Sequence, residues 1–210
     1  MHPDLQRLPN IWRAHSLSIG QMRHIPSGHA ELDAALGGGW PAAALIELLC
    51  DKQGIGELQL LLPILKYFQQ AERNPLVLWL NPPHHLHAIA LLQQGLDPSH
   101  HWVIHDLSAK DVAWAMERGL KSRACVAVVG WLSRAAPATL RRIKLAAMTT
   151  QTCGVIFRPT HAGHIPSPAN IRAKLDAHAH RLEVNLLKIQ GRLPCSVVLD
   201  VGSRIDQDIA

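Results

Sequence analysis

Apolar and polar positions along this chain fall into blocks whose period changes, and the blocks read as alternating strands and helices. Four short runs are apolar almost throughout: Ala43–Cys50 (AALIELLC), Leu76–Leu80 (LVLWL), Val126–Trp131 (VAVVGW) and Gly154–Phe157 (GVIF). Runs of this length without a polar face predict strands covered on both sides, as in the middle of a parallel sheet. Trp102–His105 predicts a shorter strand. Between these runs the period lengthens to that of a helix. Leu32, Ala35 and Leu36 share one face, with Ser27 as a candidate N-cap, Glu31 and Asp33 in the first turn, and Gly37–Gly39 as the stop. Further helices are predicted over Glu57–Gln70, where Pro63 must kink the helix or define its first turns, and over Leu86–Gln94, Ala109–Leu120 and Ala138–Thr149.

Strand–helix alternation at these spacings requires right-handed crossovers, so the fold class is α/β with a mainly parallel twisted sheet flanked by helices. After Pro168 the pattern changes. Leu182–Ile189 and Ser196–Val201 predict two strands joined by Gln190–Pro194, an antiparallel pair at the sheet edge. The expected organisation is a polar lead or arm over 1–26, one domain over 27–202 and a polar tail over 203–210. No internal repeat and no separating linker interrupts the domain.

Composition narrows the function classes. The chain has 210 residues, 48% hydrophobic and 18% charged, which supports a packed core and excludes a disordered chain. The longest uncharged stretch, Pro75–Leu96, carries Asn81, Pro82, Pro83 and three histidines, so no membrane span is expected. MHPDLQRLP has no apolar export segment, and the expectation is a cytoplasmic protein. Cys50, Cys125, Cys153 and Cys195 are far apart and sit in or beside apolar runs, so they are expected as reduced core residues. A net charge of +5 permits an acidic or nucleic-acid partner without requiring one. The fourteen histidines form no helix-borne pair with a nearby cysteine or carboxylate, and no metal site is expected.

The candidate chemistry lies just after the first apolar strand. A glycine turn between a buried strand and a helix is the setting of a phosphate-binding loop, which needs a lysine and a hydroxyl after its last glycine. Here the loop reads CDKQGIGELQ: Gly54 and Gly56 keep the turn, but Glu57 and Leu58 follow. A carboxylate in the lysine position repels a triphosphate. The strand VAVVGW ends in Gly130 and Trp131 where a magnesium-holding aspartate is needed, and LVLWL is followed by Asn81, Pro82 and Pro83 where an acid should activate water. Three independent losses predict a non-enzyme with no nucleotide cofactor.

Ile25–Pro41 (IPSGHAELDAALGGGWP), followed by Ile46-Glu47-Leu48, resembles the lead-in to the ATPase core of RecA recombinases, and the order of elements through Phe157 follows the same plan. RLEVNLLKIQGR and SVVLDV resemble the strands that close that core. Within that superfamily the chain resembles the ImuA family of bacterial SOS mutagenesis operons, through Pro9–Arg13 (PNIWR), GGGWP, Gly54–Leu58, Val128–Leu132, Phe157-Arg158-Pro159 and Val184–Lys188. Residues of about 58–160 also resemble the SulA family of cell-division inhibitors, through LLLPILKYFQQ, LWLNPP and GVIFRP.

The ImuA resemblance implies an accessory role in SOS-induced, error-prone translesion synthesis. Its implied partners are RecA, an inactive Y-family polymerase-like protein and an error-prone replicative-type DNA polymerase. The alternatives are a SulA-type inhibitor that binds FtsZ, and an atypical NTPase. The candidate contact residues are Trp12 and Arg13 in the arm and Ile205 and Ile209 in the tail. By analogy with the DNA-contacting loops of the RecA plan, Arg158, Arg172 and Lys174 are added as nucleic-acid or partner contacts.

Overall fold

The computed structural model describes residues 23–72, 75–178 and 181–200. Trp12, Arg13, Ile205 and Ile209 lie outside the described residues. In chain order the elements are β1 (His24–Ile25), α1 (Ala30–Leu36), β2 (Trp40–Pro41), β3 (Leu45–Leu49), α2 (Leu62–Ala71), β4 (Leu76–Leu80), α3 (Ala88–Gln93) and β5 (His101–Ile104). They continue with α4 (Ala109–Lys121), β6 (Cys125–Trp131), α5 (Pro137–Thr150), β7 (Cys153–Arg158), β8 (Ile171–His178), β9 (Arg181–Ile189) and β10 (Cys195–Asp200). One eight-stranded sheet has the order β10-β9-β8-β3-β7-β6-β4-β5, and β1 pairs with β2 in a separate two-stranded ribbon.

The sheet is parallel from β8 through β3, β7, β6 and β4 to β5, and turns antiparallel at β8–β9 and β9–β10. Successive residues of β3 point to opposite faces, and both faces are covered. Ile46 and Leu48 join Trp40, Trp79 and Phe157 in the core under α1 and α2. Leu45 joins Val128, Ile156, Met116 and Ile143 in the core under α4 and α5. Each fully buried leucine or isoleucine contributes about 1.5–3 kcal/mol, which is why an all-apolar strand selects the sheet centre.

Several local readings needed revision. Ser27 does not cap α1; His29 occupies the N-cap, while the Ser27 backbone N–H donates to Asp33 Oδ1 at 2.7 Å and fixes the turn from its far side. The helix after the glycine loop starts later than Glu57. Residues 57–61 form tight turns, and α2 begins at Leu62 with Pro63 in its first turn, where a missing N–H costs nothing. Cys195 is exposed on β10 rather than in the core.

The structure adds β8, an eight-residue strand where the apolar pattern predicts no element. Ile171, Ala173, Leu175 and Ala177 alternate with Arg172, Lys174, Asp176 and His178, a period-two pattern that three charged residues disguise as surface. Because β8 sits between β3 and β9, β9 is an interior strand, and only β10 of the closing pair is an edge. Among the described residues no helix is long and apolar enough to cross a membrane.

The glycine triplet is fixed by geometry. Gly37 caps α1 with φ 86°, its N–H bonding back to Asp33 and Ala34. Gly39 has φ 118°, and a Cβ built there would lie 2.2 Å from the Ile25 carbonyl oxygen, inside the β1–β2 ribbon. Gly39→Ala is therefore expected to lower unfolding free energy by about 2–4 kcal/mol, combining left-handed strain with a backbone clash. Urea denaturation of the variant against the parent measures it; a loss below about 0.5 kcal/mol would show that the ribbon can relax.

Candidate functional site

The carboxyl ends of β3, β4, β6 and β7 share one rim because the strands run parallel, and ligands of open α/β sheets bind at this end. Cys50, Asp51, Asn81, Trp131 and Arg158 border a cavity of about 360 Å³ there. Each strand end delivers a side chain unlike the one that nucleotide chemistry needs.

After β3, the loop keeps the shape of a phosphate cradle and fills it from within. Gly54 and Gly56 take φ of 70° and 95°, which turn successive backbone N–H groups inward. The Glu57 carboxylate accepts from the Gly54 N–H at 3.2 Å and the Ile55 N–H at 2.9 Å, and Glu57 is buried. The amides that would hold a phosphate are thus occupied by the chain's own anion. Burial, reinforced by the nearby Glu57 and Asp51 charges, pushes the Cys50 thiol up to about 11.

After β6 the rim is aromatic. Trp131 stacks on Phe157 at 4.7 Å between centroids and on Trp79 at 6.2 Å, so an apolar wall stands where a metal-holding acid is required. After β4, Asn81 turns with φ 51° and its side chain accepts from the Leu107 N–H at 2.9 Å. It borders the cavity, but its amide is spent tying two loops together. Asp51, the carboxylate on the rim, accepts from the backbone N–H and the hydroxyl of Thr160, and those bonds hold it below the usual aspartate range.

Beneath the rim lies a charge cluster. Glu47 on β3 is fully buried; Arg158 Nη1 donates to its Oε1 at 2.8 Å, and Arg172 Nε lies 3.0 Å from its Oε2 as an ion pair without hydrogen-bond alignment. Arg172 Nη1 also donates to the Gly163 carbonyl at 3.0 Å. Arg158 and Arg172, expected at the surface, are therefore drawn inside, 4% and 6% exposed. Lys174 remains outside, paired with Asp176 at 2.9 Å. Sequence reasoning missed Glu47 as a site residue. A lone carboxylate inside AALIELLC was the available signal, since an acid in a doubly covered strand must find cations.

The histidines do not converge on a metal. His101 accepts from Trp79 Nε1 at 3.0 Å, and burial holds its pKa below the ordinary histidine value. Among the described residues no three His, Cys, Asp or Glu side chains gather closely enough to hold an ion.

Comparison with known families gives this rim its setting. The family model described as cell division inhibitor SulA matches residues 45–154, more than half of the chain, from the start of β3 into β7. The chain belongs to the SulA family. No curated protein matches it. The SulA match takes in β3 with Glu47, the self-filled loop, α2, and Trp79 and Trp131 of the aromatic rim, but not Phe157. Arg158 and Arg172 lie beyond it, as do the β1–α1–β2 lead-in and strands β8–β10.

Two outcomes follow. Glu47→Gln leaves two buried guanidinium groups without a counter-charge and is expected to cost about 3–5 kcal/mol, read as a lower urea midpoint. Wild-type stability in that variant would mean that solvent or backbone carbonyls neutralise the arginines. Native protein treated with iodoacetamide at pH 8 is expected to react at exposed Cys195, while Cys50, with its thiol pushed up to about 11, and Cys153, buried and pushed up to about 12, stay unmodified. Peptide mass mapping reads the pattern, and equal labelling of Cys153 would contradict the buried assignment.

Proposed function

We propose that this chain is a non-catalytic protein-binding member of the SulA family that restrains cell division by binding FtsZ. The observation that supports this reading most directly is the loop after β3. Its amide cradle is taken by Glu57, and no lysine or hydroxyl follows Gly56, so the fold is left as a binding scaffold without nucleotide chemistry. The family match, described as a cell division inhibitor, supports a partner in the division machinery.

A second reading rests on a different observation. The β1–α1–β2 lead-in and β8–β10 lie outside the matched stretch, yet they close onto each other: Arg192 Nη1 donates to the Ala34 carbonyl at 2.9 Å, clamping the end of α1 to the β9–β10 turn. The lead-in and strands β9 and β10 carry part of the RecA-like resemblance, which also runs through the matched stretch. They support an ImuA-type accessory in damage-induced translesion synthesis, with RecA, an inactive Y-family polymerase-like protein and an error-prone polymerase as partners. In that reading Trp12 and Arg13 in the arm, and Ile205 and Ile209 in the tail, are the contact candidates. Both readings place the protein in the cytoplasm and neither gives it a catalytic residue.

The test has two arms. Under the first reading the purified protein is expected to suppress FtsZ sedimentation and GTP hydrolysis at near-equimolar ratio. Under the second, FtsZ is unaffected and capture from DNA-damaged cells returns RecA and polymerase-like proteins, with capture reduced when residues 1–20 are removed. In either case Mg·ATP should not raise the melting temperature, because a ligand of the native state must stabilise it by mass action. A rise of several degrees would overturn the non-catalytic reading.

A further inference from the structure

A second cavity, of about 420 Å³, opens beside the rim, between the loop before α5 and the segment after β7. Arg134, Arg158 and His161 line it together with Ala135, Ala162 and Ile165, and no carboxylate is among its lining residues. Three observations of different kinds make it a site for an anion.

The first is charge. Glu47 is shared by Arg158 and Arg172, so the buried cluster carries two guanidinium groups against one carboxylate. Arg172 spends donors on the Ala162 and Gly163 carbonyls. Arg158 has its Nη1 bond to Glu47, but among the described residues its buried Nε has no hydrogen-bond partner, in a side chain only 3% exposed. A buried cation that is half-neutralised and incompletely bonded is costly, and an added anion relieves it. The neighbouring acid, Asp51, is already bonded to Thr160 and does not line this cavity.

The second is the helix. α5 is fourteen residues long, its N-cap is Ala136, no side chain caps it and no acid occupies its first turn. Its positive end is left open beside the cavity, with Ala135 and Ala136 on the wall. The third is Arg134, an exposed cation with no ion pair among the described residues, which lines the cavity together with the exposed His161.

We propose that this cavity binds the carboxylate of a glutamate or aspartate side chain presented by an acidic segment of a partner protein. The inference rests on the protein-binding reading above and names the chemistry of the contact. Ala135, Ala162 and Ile165 supply an apolar wall for a short aliphatic stem, while Arg134 and the α5 terminus meet the charged head. No phenylalanine, tyrosine or tryptophan lines the cavity, and the single His161 ring is a poor platform for successive stacked bases of a nucleic acid.

Fluorescence anisotropy with labelled hexaglutamate tests the site directly, with labelled hexathymidylate as the competing probe. Arg134→Ser combined with His161→Asn removes exposed contacts without touching the core, and Ala136→Asp places the chain's own carboxylate at the α5 cap. Each is expected to weaken hexaglutamate binding by about tenfold or more, the scale of one lost charged hydrogen bond. Arg141→Ser, which deletes the same charge from the exposed face of α5, should change it less than about twofold. Circular dichroism melting confirms that each variant is folded. Equal weakening by Arg141→Ser, or no weakening by the cavity variants, overturns the site; so does hexathymidylate losing tenfold while the peptide does not. Because the probe is a peptide, its result is independent of FtsZ or RecA capture. Failed capture with retained peptide binding would overturn the functional reading alone.

Discussion

The structure is organised around a carboxylate placed in the middle of its central strand. Glu47 sits on β3 with Arg172 beside it in register on β8 and Arg158 reaching back from the end of β7. An ionised carboxylate inside a dry sheet is intolerable alone, so the strands on both sides of β3 must be the ones that deliver cations. That requirement distinguishes β8 and β7 from the other strands as neighbours of β3. Apolar burial alone does not, since AALIELLC would pack equally well between any two apolar strands. The ion cluster thus contributes specificity of strand order more than net stability, and it also fixes the segment after β7, through the carbonyls that Arg172 holds.

This accounts for what the sequence shows and what it hides. β4, β6, β7 and α4 are legible because each is decided locally, by an unbroken apolar run or by Val112, Met116 and Leu120 at helical spacing over a Ser108 cap. β8 is not, because its buried charge, Arg172, is explained only by a partner far along the chain. Arg172 is separated from Glu47 by 125 residues, and nothing near Arg172 announces that it is buried. The same distance explains why Arg158 and Arg172 read as surface contacts. A basic residue in a loop-rich segment looks solvated until its partner is known. Ser27 and the start of α2 fail for a smaller reason: a turn can satisfy the same N–H groups that a helix would, so its boundary shifts by a few residues without changing the core.

The glycine loop after β3 shows how a chain can satisfy inward-turned amides with its own carboxylate. In a phosphate-binding loop the inward amides are satisfied by the ligand, and the apo loop leaves them to water. In this chain Glu57 meets them permanently, at 2.9 and 3.2 Å, so the loop no longer needs a ligand to be ordered. The substitution that repels triphosphate therefore also replaces its structural contribution. A lysine at the same position would leave the Gly54 and Ile55 amides open and add a cation beside them.

The rim and the neighbouring cavity stand in opposite electrostatic states because of these two carboxylates. Glu57 closes an anion site with an anion that costs little to bring there, since it lies two residues from Ile55. Glu47 only partly compensates two arginines, so positive charge is left on the Arg158 side of the cluster, where Arg134 and the uncapped α5 add to it. On one side of Arg158 the loop amides are met by Glu57, and on the other the proposed anion site lies beside Arg134 and the start of α5. The distinction rests on burial. A carboxylate three residues from its amides can be supplied by the chain itself, whereas the field of a buried Arg-Glu-Arg cluster can be neutralised only by a group that arrives from outside.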